Sequence, residues 1–74
     1  MTAQEIRSKI EQALPGSRVE VRDTTGGGDH FEAIIVAAQF SGKSTLEQHR
    51  MVYSILGSAM AGSIHALALR TSPQ

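Results

Sequence analysis

Three histidines, His30, His49 and His65, hold most of the chemistry this sequence can offer, because the chain has no cysteine. Without a thiolate there is no cysteine nucleophile, no disulfide, and no zinc or iron–sulfur site of Cys ligands that the chain could complete alone. His30 closes the stretch Gly26-Gly27-Gly28-Asp29, which places it at the exposed mouth of a hairpin. His65 precedes the alternation Leu67, Leu69, and a histidine in such a setting is more often packing than ligating. A loop histidine and a strand-end histidine could still converge on one metal, with a partner or water completing the ligand set. His49 lies between Leu46 and Val52 on the edge of an apolar helical face. It reads as structural, bonding a nearby carbonyl or carboxylate.

Gly42-Lys43-Ser44 falls between a predicted strand and a predicted helix, where a P-loop carries its Gly-Lys-Ser. That loop also needs a glycine five positions before Gly42, and the residue there is Ala37. Nucleotide hydrolysis is therefore not expected. A weaker role for Lys43 survives, holding one anion or one nucleic-acid phosphate together with the N–H groups of the helix start. Arg50 extends this into a small basic patch along the second helix, for which a solvated helix face is the plainer account. Phe40 and Gly42 read as structural positions of the same loop. Gly-x-Ser-x-Gly is absent, and Asp23 and Asp29 flank the glycine stretch as groups that solvate it. An enzyme is not indicated.

The elements that must position these residues follow from spacing. Thr2 with Glu5 forms a capping box, and Ile6, Ile10 and Leu14 recur on one face of a helix that Pro15-Gly16 ends. Arg18 to Asp23 alternates as a half-buried strand. Phe31 to Ala38 is apolar on both faces except at Glu32, which predicts a central strand. Ser44 with Glu47 caps a second helix whose apolar face is Leu46, Val52, Ile55, Leu56, Ala59 and Met60, with Gly62 as its stop. Ile64 to Leu69 is the third strand, and Arg70 to Gln74 a tail. The order is αββαβ: an α+β domain over residues 1–74, with a mixed three-stranded sheet and both helices on one face. A right-handed crossover makes the second and third strands parallel neighbours. The other sheet face should expose apolar atoms, as partner sites often do.

A chain of 74 residues buries only about 60% of its unfolded surface, which leaves little room for a deep, walled active site. Its composition, 41% hydrophobic and 19% charged, is globular, and seven basic residues balance seven acidic ones. Zero net charge argues against strong non-specific nucleic-acid binding, which draws on a cationic surplus. The longest apolar run, Ala33 to Ala38, is too short to cross a bilayer, and the polar N-terminus lacks a signal-peptide layout. A soluble, cytoplasmic protein is expected.

The sequence resembles the BolA family over nearly its whole length. The specific residues are Thr25-Gly26-Gly27-Gly28-Asp29-His30-Phe31, Phe40-Ser41-Gly42-Lys43-Ser44, Gln48-His49-Arg50-Met51-Val52-Tyr53 and Ile64-His65-Ala66-Leu67. The resemblance implies a fold like the type II KH domain. It also implies a monothiol glutaredoxin as partner and a [2Fe-2S] cluster shared with glutaredoxin and glutathione, in iron homeostasis or cluster trafficking. His65 would be an iron ligand by this resemblance, and a loop residue the second. The chain departs from the cysteine-bearing branch of the family, leaving His30 as the loop candidate. Imidazole in place of thiolate raises a cluster's reduction potential, and mild acid can release it. The alternative implied by the resemblance is a DNA-binding transcriptional regulator of stress response and cell morphology. A second copy of the chain is a further candidate partner.

Overall fold

Helix α1 (Ala3–Ala13) starts on a reciprocal cap: Thr2 Oγ1 accepts the Glu5 N–H at 3.1 Å, and the Glu5 carboxylate accepts the Thr2 N–H at 2.8 Å. Two donors with no intrahelical partner are thereby satisfied. The computed structural model describes residues 1–62, 64 and 66–73. Ile6, Ile10 and Leu14 are buried, as their spacing predicts, and Gly16 turns the chain into β1 (Arg18–Asp23). A glycine-rich hairpin leads to β2 (His30–Val36), and helix α2 (Thr45–Leu56) carries the chain across to β3 (Ala66–Ser72). The sheet order is β1-β2-β3, with β1 antiparallel and β3 parallel to the central β2. The α+β class, the αββαβ order and the parallel crossover are as the sequence predicts.

Period-two alternation sorts β2 into two faces. Phe31, Ala33 and Ile35 are buried against the helices together with Val19, Val52, Leu56 and Phe40. Full burial of the larger of these side chains contributes ~1.5–3 kcal/mol each, which makes this layer the main stabiliser of so small a domain. Glu32, Ile34 and Val36 fall on the opposite face, which no described element covers. That face is less apolar than expected, because Arg18, Glu20, Arg22, Glu32 and Arg70 surround Ile34 and Val36.

Several details differ from the sequence reading. Helix α2 stops at Leu56 rather than Gly62, because Gly57 adopts φ +56°, and a 3-10 turn over Gly57–Ala61 follows. Leu46 is 59% exposed, and Gln48 takes the buried position. Strand β2 begins at His30 and ends at Val36, since Ala38–Phe40 closes into a 3-10 turn that drops Phe40 into the core. Strand β3 runs on through Arg70, Thr71 and Ser72, expected as tail, because Ile34, Ile35 and Val36 pair with them. Ile64 lies before the strand as a buried core residue.

Candidate functional site

The hairpin between β1 and β2 winds around one carboxylate. Asp23 Oδ1 accepts the N–H groups of Gly26 at 2.8 Å and Thr25 at 3.2 Å, and Oδ2 accepts that of Gly28 at 2.9 Å. The Thr24 N–H and hydroxyl both donate to the His30 carbonyl. Asp23 therefore organises the loop rather than merely solvating it, a correction to the sequence reading. The signal was present: Asp before a glycine run is an Asx-turn former.

This wound loop delivers Asp29 and His30 to the first position of β2. The Asp29 carboxylate lies 2.9 Å from His30 Nδ1, and the two side chains are 40% and 43% exposed. His30 is thus half-buried and engaged, not simply exposed at a hairpin mouth. Asp29 is a ring partner for it. The Asp29 carbonyl accepts the Ala66 N–H at 3.2 Å, and Ala66 is the register partner of His30. In sequence Ala66 follows His65, which lies outside the described residues. Among the described residues no group of three His, Asp or Glu side chains is placed to hold a metal ion.

The opposite end of the sheet holds the other candidates. His49 is half-buried, and its ring makes no hydrogen bond or ion pair with a described residue. The polar contact expected of it belongs to its neighbour. Gln48 is 5% exposed; its Nε2 donates to the Lys43 carbonyl at 2.9 Å, and its Oε1 accepts the Thr71 hydroxyl at 2.6 Å. Gln48, Val52 and Leu56 share one helical stripe, and that i, i+4, i+8 spacing marked Gln48 as buried. Gly42 adopts φ +77°, with nothing within 4 Å of an added Cβ, so the backbone angle alone favours glycine there.

Lys43 and Arg50 are brought together along a groove with Ala13, Leu14, Met51 and Ile55, and Glu47 lies on the same lining. The Glu47 carboxylate already occupies the start of α2, accepting the Ser44 N–H at 2.9 Å. That backbone N–H, then the Ser44 hydroxyl, holds Glu47 below the ordinary carboxylate range, with Lys43 and Arg50 adding to the effect. The lysine expected to recruit an external anion thus stands beside an internal one. Among the described residues no helix is long and apolar enough to cross a membrane.

Comparison with known proteins agrees with this architecture. The family described as BolA-like protein matches residues 6–74. BolA-like protein 1 of Mus musculus is 39% identical over 72 residues, covering 88% of this chain and 53% of that protein. The chain thus spans about half the length of that relative. The DNA-binding transcriptional regulator BolA of Escherichia coli K12 is 33% identical over 78 residues, covering 96% of this chain and 74% of the regulator. Among solved structures, the BolA domain of SufE1 from Arabidopsis thaliana superposes with a TM-score of 0.88 at 31% identity, covering 96% of this chain and 90% of that one.

Proposed function

The chain belongs to the BolA-like protein family, and from that premise we propose that it partners a monothiol glutaredoxin, sharing a [2Fe-2S] cluster with it in iron homeostasis or cluster trafficking. The observation that carries this reading is the Asp29–His30 pair at the start of β2. A carboxylate on Nδ1 is how metal-ligating histidines are commonly oriented, and it sets Nε2 as the ligating nitrogen. The pairing of His30 with Ala66 supports His65 as the companion ligand, since Ala66 is the next residue in sequence.

The donor set of the chain fits a shared cluster and not a private one. A [2Fe-2S] cluster takes about four protein ligands, commonly thiolates, and this chain has no cysteine. His65 and His30 would supply imidazole, while glutaredoxin and glutathione would supply the thiolates. When bound, the cluster would supply one-electron chemistry at a potential raised by imidazole ligation. The part of this chain is to orient the His30 ring through Asp29 and to hold the loop in shape through Asp23.

Visible absorption and circular dichroism test the proposal on a mixture of the protein, a monothiol glutaredoxin, glutathione, iron and sulfide, read beside glutaredoxin alone. A changed cluster spectrum is expected, reverting in His65→Ala and weakened in His30→Ala, with far-ultraviolet dichroism unchanged in both variants. An unaltered spectrum without co-elution overturns it.

One observation favours a second reading, DNA-binding regulation: the Escherichia coli relative is named as such a regulator. Lys43 and Arg50 would be the phosphate contacts. Each lost contact lowers the salt slope of binding by about one and weakens it across all sequences, which a gel-shift series on Lys43→Gln and Arg50→Gln reads directly.

A further inference from the structure

Parallel strand pairs are normally covered on both faces, yet the β2–β3 pair is covered on one. Read across the strands, the open face has three rows. Arg18, Val36 and Ser72 form the first; Glu20, Ile34 and Arg70 the second; Arg22, Glu32 and Ala68 the third. Thr71 reaches Gln48 on the helical side and Val19 is buried there, so Arg70 and Glu20 stand on the open side. Ile34, at the centre, is 38% exposed. Arg22 pairs with Glu32 at 2.9 Å, whereas Glu20 and Arg70 make no ion pair with a described residue. The middle row therefore carries an acid on one edge strand, an apolar centre, and a base on the other edge, neither charge paired by a described residue.

We propose that this open sheet face seats a second copy of the chain, about a two-fold axis parallel to β2 that sets Glu20 of each copy against the partner's Arg70. Rotation about that axis exchanges β1 with β3 while keeping the rows. Ile34 then meets Ile34, Val36 meets Val36, and two Glu20–Arg70 pairs close the flanks. The like-charged meeting, Glu32 on Glu32, is neutralised within each chain by Arg22. A two-fold axis across the strands is disfavoured by the same charges, because it sets Glu20 on Glu20 and Arg70 on Arg70. Three strands about 4.8 Å apart, one of six residues and two of seven, give a footprint of roughly 300 Å² per copy, well short of the ~800 Å² of a standard interface. The association is accordingly weak and reversible, and the charges set its geometry more than its strength.

Sedimentation equilibrium of the whole chain, from about 10 μM to about 1 mM, reads it in the range where weak interfaces dissociate. The expected result is a mass rising toward twice the monomer. Glu20→Arg alone and Arg70→Glu alone each weaken association about tenfold or more, and the double exchange, which keeps the net charge at zero, restores it to within about threefold. Both substitutions are at exposed positions, and far-ultraviolet dichroism checks the folding of all three variants. A chain monomeric throughout overturns the proposal. So does a dimer indifferent to both reversals, or a double exchange that fails to restore. If the reversals release a glutaredoxin while no self-association is seen, the face belongs to that partner and the proposal fails.

Discussion

Two polar clusters close opposite ends of the same sheet, and they are built to opposite ends chemically. At the Val36 end, Gln48 is almost wholly buried, with its amide satisfied on both sides by Thr71 and the Lys43 carbonyl. At the His30 end, Asp29 and His30 pair while staying about two-fifths exposed, on a loop that Asp23 holds from below. A buried, satisfied group is costly to disturb and has nothing to offer a ligand. A half-exposed imidazole oriented by a carboxylate costs the fold little and can meet one. Histidine is the residue one suspects of function and glutamine the one overlooked, yet on α2 it is Gln48 that ties helix to sheet.

The largest expected effect tests the buried end. Gln48→Ala strands the Thr71 hydroxyl and the Lys43 carbonyl, costing ~1–3 kcal/mol and lowering Tm by roughly 10 °C in a domain this small. Adding Thr71→Val should recover part of the loss in the same thermal melts, because fewer buried groups are then left unpaired. An unchanged Tm in the single variant would break the contrast between the ends.

A smaller effect belongs to the loop. Asp23→Ala removes the acceptor of three exposed N–H groups, a cap-like loss of about 1 kcal/mol or less. Amide exchange at Gly26 and Gly28 should accelerate while the core amides of Ile35 and Val52 stay protected. A Tm loss equal to that of Gln48→Ala would show that both ends carry the fold alike.

The smallest effect is shared by both ends, through the helix caps. Glu5, on the Thr2 N–H and hydroxyl, and Glu47, on those of Ser44, are both held below the ordinary carboxylate value of 4.5. A carboxylate with a lowered folded value adds stability above its unfolded value, and that stability is lost as pH falls through the folded one. Tm should therefore decline on acidification below about 4.5, and Glu5→Gln with Glu47→Gln should flatten that decline. Melts of the double variant matching the wild type at every pH would assign the acid sensitivity elsewhere.

Much of this was legible in the chain because it is local. Thr2 with Glu5 and Ser44 with Glu47 announce both helix starts, since a capping box closes within three residues. Strict alternation from Arg18 to Asp23 announces β1. What was misread depends on neighbours distant in sequence. Arg70 to Ser72 carries no strand pattern strong enough to separate it from a tail, and becomes strand because β2 offers it partners. Leu46 has the residue type for a core and the wrong angle around α2, whereas Gln48 has the right angle and an unlikely type. The glycine-rich loop is the exception, a local signal passed over: Asp23 collects N–H groups two to five residues further on.

By itself, the sequence determined the αββαβ order, both helix starts and the family resemblance, because caps, alternation and motif spacing act over a few residues. The tertiary structure alone decided that Thr71 meets the Gln48 amide, that Ala66 pairs beside His30, and that Glu20 and Arg70 share one open row. These are register and packing outcomes. They depend on which strand lies beside which, and no local pattern encodes that.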